Sequence, residues 1–228
     1  MSWTITGTEK VTTDPYRSQV SLLLHGDGTN GSTTITDSSP SPKTVTAVGN
    51  AQISTAIADP FGKTTGVMAF DGNGDYLSVS GTTAFPVGTE DFTVEFWLQN
   101  SDTTWNRLVR IIENSVTNGF QVYIASNGNL NVSLYGVSGI LSTSLTALAL
   151  NSWHHIAIAR NGNNFQAYIN GASSQSGTSS GSFASISTQN ISDSSNSLKG
   201  YIDDLRITKG VARYTSNFTP PTAPFPDI

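Results

Sequence analysis

Hydrophobic and polar residues alternate along several short segments of this 228-residue chain. In the segment 92–99, the apolar residues Phe92, Val94, Phe96 and Leu98 occupy every second position. Because successive side chains of a β-strand point to opposite faces, this spacing predicts a strand with one buried face and one outward face. The same alternation recurs in the segments 120–124, 130–135 and 165–169. Together these segments predict an antiparallel sandwich, in which each sheet buries one face.

Asn-Gly pairs separate strand-like segments and predict tight hairpin turns. The segment 153–159 is followed by Asn161-Gly162, and the segment 165–169 is followed by Asn170-Gly171. We expect type I′ turns at both pairs, because both central residues of that turn need a positive φ, which Asn and Gly adopt readily. The sequence predicts no helix of useful length, so the expected fold class is all-β.

The outward faces of these strands carry aromatic and amide side chains. The members of this predicted face are Trp97, Tyr123, Tyr135 and Tyr168, with Glu95, Gln99, Gln121 and Asn131, and with His155 pointing the same way. Sugars stack their C–H faces on aromatic rings, and amides and carboxylates pair with their hydroxyl groups, so these residues form the candidate ligand site. Two other interpretations stay open. The face is either a solvated outer sheet, since Tyr and Trp favour strands, or a surface covered by another chain.

Composition narrows the range of functions. Charged residues make up 12% of the chain, the net charge is −5 and the isoelectric point is about 5.0. Because there is no basic run, the sequence predicts neither nucleic-acid binding nor attachment to an anionic membrane. The absence of cysteine excludes disulfides, thiol catalysis and cysteine-based zinc sites. No apolar run reaches the roughly 18 residues of a membrane helix.

The chain divides into three parts of unequal length. Residues 1–19 form a polar N-terminal extension, residues 20–214 contain the strand-like segments, and residues 215–228 form a tail with four prolines. Because proline cannot occupy a central strand, we expect this tail to be extended and to lie on the surface. The first residues have neither the basic nor the apolar region of a signal peptide. If the protein works outside a cell, we therefore expect it to be released by lysis, carried on a particle or exported by another route.

Six motifs follow one another in the order typical of one family. They are Leu-Leu-Leu-His-Gly-Asp-Gly at 22–28, Asp-Ser-Ser at 37–39, Ala-Phe-Asp-Gly-Asn-Gly-Asp-Tyr-Leu at 69–77, Phe-Thr-Val-Glu-Phe-Trp at 92–97, the hairpin at 153–171, and Gly-Tyr-Ile-Asp-Asp-Leu-Arg-Ile at 200–207. In this order they resemble the laminin G-like, concanavalin A-like lectin and glucanase domains. The resemblance implies a two-sheet jelly roll that serves as a sugar-binding or adhesive module. The segment 210–221 is similar to the version found in bacteriophage structural proteins. This similarity implies a location on the surface of a virion or another extracellular particle, without a signal peptide.

The same resemblance implies a calcium site. Many members of the family hold one calcium ion between the first acidic turn and an aspartate of the closing strand, which correspond here to Asp27 and Asp203. Calcium prefers six to eight oxygen ligands. The alternative is that Asp27 caps a turn and Asp203 anchors a loop, and both interpretations stay open.

Acidic residues are not arranged as in the related glucanases, which place three acids at alternate positions of one strand. Here Asp91 and Glu95 flank Thr93, so the middle acid is missing. One Gly-x-Ser-x-Gly match, at 177–181, lies in the Ser/Gly/Thr-rich stretch 173–197, where the sequence predicts a loop and not the strand-to-helix turn of a nucleophile motif. We therefore expect a non-catalytic recognition module that binds a host glycan or polysaccharide. The alternatives are a structural or decoration protein that contacts other virion proteins or itself, and a glycoside hydrolase.

Overall fold

The computed structural model describes residues 13–81, 84–102, 109–113, 119–125, 128–135, 147–183 and 188–228. Within these ranges the chain forms fourteen β-strands and one 3-10 turn, Arg17–Gln19. The strands are β1 (Val20–Leu24), β2 (Val45–Val48), β3 (Gln52–Ser54), β4 (Val67–Asp71), β5 (Tyr76–Ser80), β6 (Phe92–Asn100), β7 (Val109–Glu113), β8 (Gly119–Ile124), β9 (Leu130–Tyr135), β10 (Trp153–Asn161), β11 (Asn164–Ile169), β12 (Ala172–Thr178), β13 (Thr188–Ser192) and β14 (Lys199–Lys209). Among the described residues, no helix is long and apolar enough to cross a membrane.

The strands form two antiparallel sheets. The eight-stranded sheet has the order β12-β11-β10-β6-β14-β4-β3, and β1 pairs with one end of β14. The six-stranded sheet has the order β2-β5-β13-β7-β8-β9. One hydrophobic cluster contains residues of both sheets, including Phe96 and Ile156 of the first and Leu77 and Val122 of the second. The predicted antiparallel β-sandwich jelly roll is confirmed.

The apolar rows of the alternating segments face this shared core. Phe92, Val94, Phe96 and Leu98 are completely buried. The described apolar residues of β8, β9 and β11 are also in the core cluster or packed against it. Burying one such side chain stabilises the fold by roughly 1.5–3 kcal/mol. The side chains of Phe120 and Leu134 lie outside the described residues.

The two Asn-Gly turns differ from each other. At Asn170-Gly171, the φ angles are 51° and 75°, and the turn joins the paired residues Ile169 and Ala172. This is the predicted type I′ pattern. At the first turn, however, Asn161 pairs with Asn164, so the central residues are Gly162 and Asn163. Only Gly162 has a positive φ, which is the type II′ pattern, and the type I′ prediction is wrong there.

The C-terminal segment, residues 211–228, lies across the outer face of the eight-stranded sheet. Its backbone is hydrogen-bonded to the rest of the protein at several points, including Val211 and Arg213, which both bond the Thr93 hydroxyl group, and three further points nearer the C-terminus. These three further hydrogen bonds join Phe218 to Gly171, Phe225 to Asp204 and Ile228 to Asp14, at 2.9, 2.8 and 2.8 Å. A large part of this outer face is therefore covered by the chain itself.

Candidate functional site

The nine residues predicted to form one ligand face are divided between the two sheets. Glu95, Trp97 and Gln99 on β6, His155 on β10 and Tyr168 on β11 belong to the eight-stranded sheet, whereas Gln121 and Tyr123 on β8 and Asn131 and Tyr135 on β9 belong to the six-stranded sheet. The two sheets share a core between them, so their outer faces point in opposite directions. The prediction of a single shared face is therefore wrong.

Glu95 lies under the C-terminal segment and is an anchor rather than an exposed ligand group. Its side chain is fully buried, and Oε1 accepts hydrogen bonds from Nη2 and Nε of Arg206 at 2.8 and 3.0 Å. Oε2 accepts a hydrogen bond from the Tyr214 hydroxyl at 2.8 Å. Burial pushes the pKa of Glu95 upward, but the positive charge of Arg206, followed by the neighbouring His155 and the charge of Arg213, outweighs burial and holds the pKa at about 2.

The same ion network reaches the N-terminal side of the sandwich. Asp14 accepts from Nη1 of Arg206 at 3.1 Å and from both terminal nitrogens of Arg213 at 2.9 and 2.7 Å. The Arg206 guanidinium also lies 3.6 Å above the centre of the Phe225 ring. Because planar guanidinium groups bind carboxylates in a fixed two-pronged geometry, this network holds the C-terminal segment in one position.

Two ring-bearing residues of this face, Tyr168 and His155, are covered by the same segment. Trp97, in contrast, is half-buried and packs edge-on against Phe61. The Tyr168 side chain is 1% exposed and packs edge-on against the rings of Tyr214 and Phe218. His155 is completely buried between Trp97 and Phe218, with its Nε2 3.5 Å from Glu95 Oε2. The expectation that Tyr168 and His155 lie open is wrong, because the chain's own C-terminal segment covers them.

The predicted residues of the six-stranded sheet lie in a different environment. Gln121 is buried, and the Asn131 side chain donates to the Asn129 carbonyl oxygen at 2.8 Å. Tyr123 is half-buried, and its hydroxyl lies 3.4 Å from that of Ser133. The Tyr135 side chain lies outside the described residues. A ligand role for these four residues stays a prediction, and it competes with the groove described next, because that groove lies on the other sheet.

An uncovered row of side chains crosses the other end of the eight-stranded sheet. The register of four neighbouring strand pairs aligns Trp153, Gln99, Tyr201, Ala69 and Gln52 in that order. All five are on the outer side, since they alternate with core residues of the same strands. Ala69 is the smallest member and lies between Tyr201 and Gln52, so the row has a depression there.

This depression belongs to an open groove of about 470 Å³, which we call the Tyr201 groove. Its polar and aromatic lining consists of Asn30, Asn50, Gln52, Ser54, Asp71, Ser101, Lys199 and Tyr201. The Asn50 side chain donates to Asp71 Oδ2 at 2.9 Å, and this bond lowers the pKa of Asp71. The groove thus combines amides, a hydroxyl-bearing aromatic ring, an ammonium group and a charged carboxylate. Such a set can bind a ligand that carries many hydroxyl groups.

Sequence reasoning missed these groove residues, although part of the signal was present. Tyr201 precedes the core residue Ile202, and Ala69 lies between Met68 and Phe70, so alternation alone would have placed both on an outer face. The alternation does not say which strands are neighbours, and the groove exists only because β3, β4 and β14 are adjacent.

Asp203, one of the two predicted calcium ligands, has an unsatisfied oxygen. Its side chain is 3% exposed, and Oδ1 has no hydrogen-bond partner among the described residues. A Cβ atom on Gly26 would be 2.7 Å from this oxygen, so Asp203 lies against the first acidic turn. Burial, followed by the negative charges of Asp204, Asp59 and Asp27, raises the pKa of Asp203 to about 9.

An all-oxygen corner of this kind fits a hard cation such as calcium. The exposed Asp27 and the buried Asp203 would hold the ion, and its charge would offset the repulsion between the neighbouring carboxylates. In the part of the chain that the structure describes, however, no group of three or more His, Cys, Asp or Glu residues could hold a metal ion. Calcium at Asp27 and Asp203 therefore stays a prediction.

Comparison with solved structures shows the same fold in much larger domains. The botulinum neurotoxin serotype D binding domain is 18% identical with a TM-score of 0.63, over 90% of this chain and 49% of that one. The binding domain of botulinum neurotoxin DC, solved in complex with SialylT, is 18% identical with a TM-score of 0.62, over 85% and 48%. The binding domain of Paraclostridial Mosquitocidal Protein 1 is 16% identical with a TM-score of 0.62, over 85% and 48%. The chain thus spans about half the length of these domains, and the similarity concerns the fold alone.

Comparison by sequence gives a family and no individual relative. No curated protein matches the chain. The model of one family, described as the concanavalin A-like lectin/glucanases superfamily, matches residues 71–213, which include β5 to β14 and most of both sheets. The chain therefore belongs to the concanavalin A-like lectin/glucanase superfamily.

Proposed function

We propose that this chain is a non-catalytic glycan-binding module and that the Tyr201 groove is its ligand site. The observation that carries the proposal is the composition of this groove on the uncovered part of the eight-stranded sheet. An aromatic ring, amide groups and one carboxylate converge there around the small residue Ala69.

The chemistry of the groove matches that of a saccharide. The apolar C–H face of a sugar ring packs on an aromatic side chain, and its hydroxyl groups exchange hydrogen bonds with amides and carboxylates. Tyr201 extends from a central strand, so its ring is held with little loss of conformational freedom on binding. Asn50 fixes the position of the Asp71 carboxylate before any ligand arrives, which lowers the cost of ordering the site.

The state of Glu95 supports a non-catalytic role. A glycosidase on this fold would need one acid that donates a proton and a second acid that acts as base or nucleophile. A catalytic acid needs a raised pKa, whereas the pKa of Glu95 is held at about 2 and its oxygens are occupied by Arg206 and Tyr214. Of its neighbours at alternate positions, Thr93 is no acid, and Asp91 accepts a hydrogen bond from the Gly162 amide at 2.6 Å.

The proteins that share the fold include glycan binders, although one similar domain was solved in complex with a protein, rat synaptotagmin II. One of the similar domains was solved in complex with SialylT, and cell entry of botulinum neurotoxin type C, which has a similar domain, depends on interaction with two ganglioside molecules. Because this chain spans about half of those domains, their particular glycans do not carry over to it. A position on the outside of a phage or similar particle stays a prediction.

A glycan array tests the proposal. The wild-type protein, Tyr201→Ala and the control Tyr123→Ala are applied to an array that contains bacterial surface glycans. Tyr123 is a half-buried tyrosine on the outer face of the other sheet, so its replacement changes composition in the same way without touching the groove. Each variant is first checked for cooperative unfolding.

We expect the wild type and Tyr123→Ala to bind the same glycans, and Tyr201→Ala to lose them. A folded Tyr201→Ala protein that keeps the wild-type binding pattern would refute the proposed site. A wild-type protein that binds no glycan on the array would refute glycan binding itself.

A further inference from the structure

A second groove lies at the opposite corner of the same outer face. It has a volume of about 370 Å³ and is separate from the Tyr201 groove. Its polar lining consists of Asn161, Asn164, Gln166, Ser176, Thr178 and Thr215, and we call it the Asn164 groove.

Two cross-strand rows form the base of the Asn164 groove. The register aligns Ala159, Gln166 and Ser176 in one row, and Asn161, Asn164 and Thr178 in the next. The small residue Ala159 leaves space under the amides, as Ala69 does in the Tyr201 groove. The two grooves therefore share one design, in which amides surround a small residue on the outer face of a strand.

The C-terminal segment supplies the aromatic wall of the Asn164 groove. The Tyr214 ring stacks on Phe218 with centroids 3.6 Å apart and an angle of 7° between the planes. Its hydroxyl donates to the buried Glu95 at 2.8 Å. Tyr214 is thus fixed at both its ring and its hydroxyl group, and a rigid ring loses little entropy when a ligand packs against it.

Polar side chains of this groove are available to a ligand. The Gln166 amide nitrogen donates to Ser173 Oγ at 2.7 Å and to the Gln175 carbonyl oxygen at 2.6 Å, which fixes its orientation. Among the described residues, the side chains of Asn161 and Asn164 make no hydrogen bond, and both are exposed. The free amides of Asn161 and Asn164, together with the oriented Gln166 side chain and the aromatic wall, suit a neutral hydroxylated ligand.

We propose that the Asn164 groove is a second saccharide-binding site, so that the domain binds a polysaccharide at two places. The choice of a saccharide rests on the proposed function of the Tyr201 groove. Tyr201 and Gln166 are three strands apart across the sheet and six residues apart along the strands. These two offsets correspond to a distance of about 25 Å between the two residues. A chain of repeating sugars can occupy both grooves, and binding at one groove raises the effective concentration at the other.

The experiment maps both grooves at once by NMR. Isotope-labelled protein is titrated with cellohexaose, laminarihexaose, maltohexaose and chitohexaose, and the shifts of backbone amides are recorded. We expect one probe to shift two separate groups of amides, one around Tyr201 and Gln52 and one around Asn164 and Gln166. In the double variant Asn164→Ala/Gln166→Ala, the probe should no longer shift the amides around the Asn164 groove, whereas the amides around Tyr201 and Gln52 should shift as in the wild type. The control Asn163→Ala changes the adjacent exposed turn residue, which does not line the groove. In this control the probe should shift both groups of amides as in the wild type.

The outcomes separate this inference from the proposed function. Shifts around Tyr201 alone overturn the second site and support the proposed function. Shifts around Asn164 alone support the second site and overturn the Tyr201 groove. No shift at either groove with any of the four probes overturns both. With two sites, the affinity for the polysaccharide that corresponds to the active hexaose should fall at least roughly tenfold when either groove is lost.

Discussion

At the scale of single residues, Glu95 illustrates how surroundings decide the role of an acid. It lies on β6, where two arginines and a tyrosine hydroxyl surround it. Removal of one partner from a buried ion pair leaves the other charges unpaired, which costs about 3–5 kcal/mol.

Glu95→Gln should therefore lower the free energy of unfolding by about 3 kcal/mol or more at neutral pH. The pKa of Glu95 is depressed from its ordinary 4.5 to about 2 in the folded protein. Its ionised form thus stabilises the fold above about pH 4.5, and this contribution disappears as the pH falls towards 2. Urea unfolding of both proteins between pH 7 and pH 3 measures the difference. A difference that grows as the pH falls would contradict this account.

Asp203 gives a second prediction at this scale. If calcium binds beside its unsatisfied oxygen, millimolar calcium added to chelated protein should raise the melting temperature by roughly 5 °C, because the ion binds only the folded state. Asp27→Asn should abolish the rise, whereas Asp193→Asn, in the turn that follows β13, should not. A wild-type melting temperature that calcium does not change would exclude the site.

At the scale of elements, strand β14 connects most of the functional features. It pairs with β6 along most of its length, with β4 at its start and with β1 at its end. A bulge between Asp203 and Arg206 places Asp204 at φ 47°, which directs its carboxylate to His25 and to the backbone of Phe225. One strand thus carries Tyr201 at the open groove and Arg206 under the C-terminal segment.

The docking of the C-terminal segment depends on a glycine. A Cβ atom at position 171 would come within 1.9 Å of the Phe218 carbonyl oxygen. Gly171→Ala should therefore displace the segment and speed hydrogen–deuterium exchange at residues 212–220. Gly162→Ala is the matched control, because its φ is also positive and no atom lies within 4 Å of the added carbon. Equal exchange rates in the two variants would show that the segment does not depend on this contact.

The elements also show how far the sequence predicts this molecule. Alternation identified the core rows of β6, β8, β9 and β11, because that pattern is local. It could not assign β8 and β9 to the other sheet, since strand order depends on contacts between distant parts of the chain. The sequence pattern also could not predict that Glu95 is covered, because its partners Arg206 and Tyr214 are 111 and 119 residues away along the chain. The open grooves follow from both of these long-range arrangements.

At the scale of the whole molecule, the two described ends of the chain meet on the eight-stranded sheet. The Asp14 amide donates to the Ile228 carbonyl oxygen at 2.8 Å, and the Asp14 carboxylate binds both Arg206 and Arg213. The C-terminal segment thereby closes the middle of the outer face and leaves a groove at each of two opposite corners. The face is divided into two sites by the same segment that stabilises it.

The central claim is that this sandwich recognises a glycan through the Tyr201 groove. Isothermal titration of wild type, Tyr201→Ala and Tyr123→Ala with the strongest glycan of the array measures it most directly. We expect the Kd of Tyr201→Ala to rise at least about fivefold, since a central aromatic contact contributes roughly 1–3 kcal/mol, and the Kd of Tyr123→Ala to stay unchanged. A folded Tyr201→Ala protein with the wild-type Kd would contradict the account.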